Sequence, residues 1–339
     1  MKPIYRNLFF LFGLVSIGIM LWTFDFDPSV IDLGLALRYL PLVIVVWVPT
    51  YFCNALAYKT VVNSDGMKPR IGFFRALQLT LSGFAFSNTT PFGFGGLPYR
   101  VMELGGQVGN NRAMASTVLY SMMHVSSHFC LWLTAVVLFL LFHFEKATPF
   151  VWTLIALFLV VLSVLIYFFY YGYKNGMIVK LYGWAMKLPL LSKPLGRFYE
   201  KNKANMQQID SNIACLHSRP RAFYSALFLE YAARVISSVE FMFIFASIGI
   251  QISLVDAILL LALASLVGNI LFFLPMQLGA REGGLAIMLS VMGLSPGLSI
   301  YSAFYSRVRE LFWVIVGVLL VKLLPTKYHK SDSSHEEAV

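Results

Sequence analysis

Long stretches without a single charged side chain dominate this sequence. An α-helix needs roughly 20 apolar residues to cross about 30 Å of hydrocarbon. Runs close to or above this length cover residues 7–24, 39–58, 76–99, 113–144, 147–173, 257–280 and 283–306. Because 58% of the 339 residues are hydrophobic and only 12% are charged, the composition is too apolar for a soluble domain. We predict an all-α polytopic membrane protein.

The run 76–99 leads into TPFGFGGLPYR, which places two prolines and three glycines where a membrane helix would be continuous. Proline removes a helix hydrogen bond, and glycine is unfavourable inside a helix. At membrane depth, the unpaired backbone groups of a broken helix are tolerated only against protein or beside a wet cavity. The pattern predicts such a cavity, and the alternative is that these small residues only allow close helix packing.

A basic segment separates two groups of apolar runs and sets the predicted orientation. Residues 174–221 contain nine Lys or Arg against Glu200 and Asp210, which is typical of a loop on the cytoplasmic side of a membrane. The net charge of +10 is therefore explained by contact of this loop with anionic lipid at the membrane surface, and nucleic acid is not an expected partner. Apolar and basic residues in VKLYGWAMKLPLL suggest interfacial helices within this loop.

The remaining loop charges imply that two apolar segments do not cross the membrane once. Two positions are predicted to be cytoplasmic: the loop with Lys59, Lys68 and Arg75, and Arg112. The run 76–99 lies between them, so it must enter the membrane and return to the same side. By the same argument, 257–296 begins and ends outside, with FFLPMQLGAREGG near its turn. We predict about six full spans plus two broken re-entrant hairpins, with both termini cytoplasmic.

The two hairpins occupy matching places in two halves of the chain. Segments 39–144 and 222–321 share the order helix, broken hairpin, long helix, and their predicted orientations are opposite. Both hairpins contain P-x-x-x-G followed by an arginine. Inverted repeats with discontinuous helices are the architecture of secondary transporters. We therefore predict one integral membrane domain over 1–326 and a disordered cytoplasmic tail over 327–339.

Charged residues within the apolar segments are candidates for a ligand site. Each costs at least ~2.5 kcal/mol in hydrocarbon and usually faces the interior of a helix bundle. Arg281 and Arg307 are candidate anion ligands, since a guanidinium offers paired donors that match phosphate. Arg100 occupies the corresponding part of the first hairpin.

Other charged residues have two interpretations each. Glu230 and Arg234 are spaced i, i+4, so they either belong to a substrate site or neutralise each other. Glu240 and Glu282 either bind a proton or a cationic amine, or form salt bridges with arginines, and we prefer the salt bridges.

Motifs for metal binding or catalysis are weak. His124 and His128 are spaced i, i+4, but HVSSH lacks the glutamate of the zinc motif HExxH. Cys53, Cys130 and Cys215 are far apart and are expected to be packing residues. The sequence has no GxxxxGK[ST] loop, so ATP hydrolysis by that route is not expected. We predict no metal and no cofactor.

Two segments resemble one family of membrane proteins. LPMQLGAREGGLAIMLSVMGLSPGLSIYSAFYSRVRELFW resembles the P-x-x-x-G-x-R-E element, helix, short turn and arginine-bearing helix in the transmembrane region of lysylphosphatidylglycerol synthases and their stand-alone relatives. SNTTPFGFGGLPYR is similar to that family's Asn, Pro and Gly-Gly followed by Arg. Where the family has Pro-Gly, this chain has Pro91-Phe92 and Pro275-Met276.

The resemblance implies a role in moving lipids across a bilayer, without the lysine transfer of the synthases. The residues that it implies for the site are Asn88, Pro91, Gly95, Gly96, Arg100, Pro275, Gly279, Arg281, Glu282 and Arg307.

We therefore predict a flippase that moves an anionic phospholipid or glycolipid across a bacterial inner membrane, with the headgroup held between the hairpins. The alternatives are a membrane-embedded transferase or hydrolase acting on a lipid-linked substrate, and a non-catalytic lipid-binding partner of an envelope biosynthesis enzyme. Under the leading hypothesis the protein is not an enzyme. Its expected partners are lipids with anionic headgroups, and also a second copy of the chain or an envelope-lipid biosynthetic enzyme.

Overall fold

The structure, a computed structural model, describes residues 33–90, 95–175, 220–271, 277 and 279–323, and this part of the chain is helical without a strand. The predicted all-α fold is confirmed. The helices are α1 (Leu33–Val45), α2 (Trp47–Val62), α3 (Phe73–Thr89), α4 (Gly96–Val108), α5 (Asn110–Phe142), α6 (Pro149–Asn175), α7 (Pro220–Ala246), α8 (Leu254–Ile270), α9 (Ala280–Met292) and α10 (Leu298–Leu323). Predictions for the run 7–24, for most of the loop 174–221 and for the tail 327–339 fall outside the described residues.

Within the described part of the chain, two helical segments have the length and composition to cross a membrane. The first is Leu37–Val62, with 26 residues and a mean hydropathy of 1.8. It spans α1 and α2, which are joined by a hydrogen bond from Val46 N to Leu42 O at 3.0 Å. The second is Asn110–Phe142, with 33 residues and a mean hydropathy of 2.1. These helices support a membrane location, while the full number of spans stays a prediction.

The first broken segment forms an antiparallel helix pair. Helix α3 ends at Thr89 and α4 begins at Gly96, so the break lies where the sequence predicts it. Gly96 packs against Ser87 and the carbonyl oxygen of Gly83, and a side chain at Gly96 would overlap both. At the other end of the pair, Arg75 forms a salt bridge of 2.9 Å with Glu103.

The second broken segment is built in the same way. Helix α8 begins with a capping box in which Ser253 and Asp256 satisfy each other's backbone N–H groups. Helix α9 begins after Gly279, whose φ of 79° favours glycine. The pair is antiparallel, since Gly268 lies beside Arg281 and Gly284 beside Leu263, and it is close, because a Cβ atom on Gly284 would lie 2.7 Å from Leu263 O.

Equivalent helices of the two halves have equivalent neighbours. Helix α3 packs on α2 and α4 as α8 packs on α7 and α9, and α4 packs on α5 as α9 packs on α10. Each hairpin also contacts the long helix of the other half, α3 with α10 and α8 with α5. Helices α2 and α7 pack on each other between the halves. The inverted orientation of the halves and the re-entry of the hairpins stay predictions.

Candidate functional site: two buried clusters of charge

A network of arginine and glutamate side chains joins α7, α9 and α10. It comprises Glu240, Arg281, Glu282, Arg307, Arg309 and Glu310, which we call the arginine–glutamate network. Its three positive and three negative charges balance. Charges at this depth require partners because hydrocarbon does not solvate them.

Glu240 and Arg309 form the most enclosed pair of the network. Their side chains are each 1% exposed and lie 3.0 Å apart. Trp47 Nε1 donates a hydrogen bond of 2.7 Å to Glu240, and Arg309 Cζ lies 3.9 Å from the centre of the Trp47 ring. The salt bridge preferred for Glu240 in the sequence is present, and it connects α2, α7 and α10.

Three of the other four members, Arg281, Glu282 and Arg307, line a small cavity beside the second hairpin. Arg281 is paired with Glu310, and Arg307 lies 3.1 Å from Glu282 and 3.2 Å from Glu310. The cavity has a volume of about 30 Å³, enough for one or two water molecules. Its polar lining is formed by Ser265, Arg281, Glu282, Ser306 and Arg307. The predicted anion ligands Arg281 and Arg307 are therefore each bonded to a carboxylate, and their binding role stays a prediction.

Arg100 belongs to a second cluster, between α2, α4, α5 and α7. Its guanidinium lies across Gly83, where a Cβ atom would overlap Nε. Nε donates to Leu79 O at 3.3 Å, and Cζ lies 5.1 Å from the ring centre of Tyr120 and 5.8 Å from that of Tyr58. Among the described residues, no carboxylate forms an ion pair with Arg100.

His124 connects the two charged residues of α7 in this cluster. Its Nδ1 lies 2.8 Å from Glu230 and its Nε2 lies 2.9 Å from Arg234. Arg234 also donates from Nε to Ser127 Oγ at 2.8 Å. Glu230 and Arg234 thus meet through a histidine ring, whereas one interpretation of their i, i+4 spacing is that they neutralise each other. We call Tyr58, Arg100, Tyr120, His124, Glu230 and Arg234 the histidine cluster.

The protonation state of His124 follows from its partners. A guanidinium can only donate, so Nε2 must accept and carries no proton. The Glu230 carboxylate accepts from Nδ1–H. His124 is therefore assigned as the neutral tautomer with its proton on Nδ1, and the cluster contains two arginines against one glutamate.

A row of rings on one face of α5 leads from the histidine cluster toward the cavity. Ring centres are 6.2 Å apart for Tyr120 and His124, 5.7 Å for His124 and His128, and 5.6 Å for His128 and Trp132. Trp132 Nε1 donates to Ser265 Oγ at 2.9 Å, and Ser265 lines the cavity. This ring row covers about 18 Å at 1.5 Å per residue.

The remaining predicted site residues belong to neither cluster. Gly95 donates its N–H to Thr90 Oγ1 at 2.7 Å, while Asn88 donates to Phe84 O of its own helix at 3.0 Å. Pro91 and Pro275 lie outside the described residues. No group of three or more potential metal ligands occurs in the part of the chain that the structure describes.

Sequence reasoning missed the contacts of His124 and two of the six members of the arginine–glutamate network. The turn-by-turn spacing of His124 with Tyr120, His128 and Trp132 indicates one continuous face of a helix, which the comparison with a zinc motif does not use. Arg309 and Glu310 are not among the predicted site residues. Their partners come from other helices, and sequence spacing carries no such information.

Comparison with known proteins gives one result. The family model described as "Lysylphosphatidylglycerol synthase TM region" matches residues 9–317. No curated protein and no solved structure matches the chain significantly.

Proposed function

The chain belongs to the family of the lysylphosphatidylglycerol synthase transmembrane region, a membrane-protein family related to lipid handling, and we propose that it translocates an anionic lipid across the bacterial inner membrane. The headgroup moves between the two broken hairpins while the acyl tails stay in the bilayer. The proposed orientation has both termini in the cytoplasm.

The observation that carries this proposal is the ring row, which links Arg100 of the first hairpin to the cavity of the second. Polar side chains at membrane depth are costly and usually face a bundle interior or a wet pathway. A row of about 18 Å covers more than half of a hydrocarbon core of about 30 Å. It therefore supports a polar path between the hairpins, along which a headgroup avoids contact with lipid tails.

The charge balance supports an anionic cargo and the histidine cluster as its binding site. The arginine–glutamate network is already neutral, whereas the histidine cluster has two arginines and one glutamate. An excess positive charge in a medium of low dielectric constant favours an anion strongly. A guanidinium also matches the geometry of a phosphate.

The proposal describes a transporter, not an enzyme. Association with a second copy of the chain or with an envelope-lipid biosynthetic enzyme is compatible with it and stays a prediction.

The test is a lipid translocation assay in proteoliposomes with fluorescent phosphatidylglycerol and a membrane-impermeant quencher. We expect Arg100→Ala to slow translocation about ten- to a hundredfold, the loss of one charged contact. Arg281→Ala is expected to slow it as well. Arg70→Ala is the matched control, because it removes the same charge from an exposed loop position.

Two outcomes would contradict the proposal. Wild-type vesicles that translocate no faster than protein-free vesicles would reject the translocase. Equal rates for wild type, Arg100→Ala and Arg281→Ala, in variants that remain monodisperse, would reject the proposed site.

A further inference from the structure

His124 lies at the opening of the histidine cluster. Its side chain is 43% exposed, while that of Glu230 is 1% exposed. Both residues are near the middle of long helices, as His124 is the fifteenth residue of α5 and Glu230 the eleventh of α7. Histidines within membrane-spanning helices almost always face the bundle interior or a water-filled cavity. Water can therefore deliver a proton to it.

The pairing of His124 with Arg234 depends on a lone pair. Nε2 accepts a hydrogen bond of 2.9 Å from Arg234, and this is possible only while Nε2 is unprotonated. A proton on Nε2 would turn the acceptor into a second donor and place two cations 2.9 Å apart. The hydrogen bond would break, while Nδ1–H keeps its contact with Glu230.

Glu230 is suited to hold the ring in either state. Its Oε2 accepts from His124 Nδ1 at 2.8 Å, and its Oε1 is buried without a hydrogen-bond partner. The Tyr120 side chain also approaches this carboxylate. A carboxylate beside an imidazole stabilises the imidazolium.

Several other ionisable side chains face this site from the helices around it. Partial burial of the ring, Arg234 from α7 and Arg100 from α4 all oppose a further positive charge, whereas Glu230 favours it. Tyr58 and Cys53 of α2 and Tyr120 and His128 of α5 complete the surroundings, through ring contacts or through their proximity to Glu230. Among the described residues, Glu230 is the one carboxylate in contact with His124.

We propose that His124 is a proton-binding site that controls whether Arg234 is available to an anion. A hydronium ion that reaches the ring transfers its proton to Nε2, so that one O–H bond breaks, the new N–H bond forms and a water molecule is left. This breaks the hydrogen bond from Arg234 Nη2 to Nε2, while Arg234 keeps its bond to Ser127, and it raises the positive charge of the cluster by one. A phosphate-bearing anion then binds Arg100 and Arg234, and its charge stabilises the imidazolium. Proton and anion therefore bind together, because coupling between two sites is reciprocal. This inference rests on the proposed function and adds a coupling ion to it.

The first test follows the ionisation of His124 in the full chain in lipid nanodiscs. NMR of histidine-labelled protein, with His124→Gln to assign the resonance, is expected to show titration between about pH 5 and 8. Arg234→Gln removes the neighbouring cation and is expected to raise the midpoint by about one pH unit. His143→Gln is the matched control, since His143 follows the last residue of α5 and pairs with Asp256, and it is expected to leave the His124 midpoint within a few tenths of a unit.

The proton site is overturned by either of two results in this titration. One is a His124 that stays neutral over the whole range in both wild type and Arg234→Gln. The other is a midpoint that is the same in these two proteins, because the proposed competition between the proton and Arg234 requires a difference.

The second test measures the coupling between proton and anion. Short-chain phosphatidylglycerol is expected to raise the His124 midpoint in wild type but not in Arg100→Ala, while phosphatidylcholine of the same chain length is the uncharged control. Inorganic phosphate distinguishes the source of the anion, since an effect from it alone would indicate a free anion instead of a lipid. No change with either anion overturns the coupling.

The two proposals fail in different ways. If lipid translocation depends on Arg100 but His124 does not titrate, the proton site is rejected and the translocase is retained. If proton and phosphate binding are coupled but no lipid is translocated, the translocase is rejected and the proton site is retained.

Discussion

Single side chains decide how strongly each cluster favours an added charge. In the arginine–glutamate network every arginine has a carboxylate within 4 Å. In the histidine cluster Arg100 is held by backbone oxygens and aromatic faces, and Arg234 by a histidine and a serine. The first arrangement joins helices through balanced charges, whereas the second has an excess of one positive charge.

Gly83 makes room for the Arg100 guanidinium, so its substitution is a test of Arg100 without deleting the charge. We expect Gly83→Ala to displace the guanidinium, because the added Cβ would overlap Nε, and to reduce translocation of anionic lipid at least tenfold. Gly283→Ala is the control, since a Cβ at Gly283 meets no atom within 4 Å. Full activity of Gly83→Ala would mean that the position of Arg100 is unimportant.

The Glu240–Arg309 pair is expected to stabilise the bundle only as a pair. Glu240→Gln leaves Arg309 buried without its main partner and should lower the stability by about 3–5 kcal/mol. The double variant Glu240→Leu, Arg309→Met should be closer to wild type than either single variant. Thermal unfolding in detergent, with exposed Arg38→Gln as the control, measures both. A double variant that is as unstable as the sum of the singles would contradict this account.

Helices α3 and α10 are in close contact because one of them carries a glycine at the crossing. A Cβ on Gly317 would overlap Leu81 O and lie 2.8 Å from Ala85 Cβ. Ser82 Oγ also donates to Gly317 O at 2.9 Å, and Gln78 Nε2 to Leu320 O at 3.0 Å. The first hairpin is thereby attached to the opposite half of the protein.

The close approach at Gly317 can be separated from the hydrogen bond beside it. Gly317→Ala is expected to reduce stability by about 1–3 kcal/mol through overpacking against backbone. Ser82→Ala removes only the hydrogen bond and should cost about 1 kcal/mol. Thermal unfolding of both variants tests this order, and a Gly317→Ala protein as stable as wild type would show that the helices can separate freely.

The whole molecule combines the two halves through equivalent contacts, and its orientation in the membrane is open to direct measurement. Single cysteines at exposed positions, in a background without Cys53, Cys130 and Cys215, can be labelled with impermeant reagents in spheroplasts and in inverted vesicles. We expect Met67→Cys and Asn110→Cys to react from the cytoplasmic side, because the hairpin between them is re-entrant. Glu145→Cys and Ser295→Cys should react from the other side.

The labelling experiment contains its own control for the re-entrant hairpin. If residues 67 and 110 react from opposite sides, the segment 76–99 crosses the membrane once and the inverted-repeat model fails. If 145 and 295 lie on opposite sides, the second hairpin fails in the same way.

The sequence by itself determined the helical fold, the places where the hairpins break and the family. These predictions rest on the length of apolar runs, the positions of proline and glycine, and short motifs. All three are properties of residues that are neighbours in the sequence, so the sequence alone is enough to identify them. Only the tertiary structure decided how the charges are paired. Arg281 meets Glu310 and Arg309 meets Glu240 across 29 and 69 residues of chain, and His124 meets Glu230 across 106 residues. Because a charge in a membrane interior takes the nearest available partner in space, its state depends on helix packing, which periodicity does not encode.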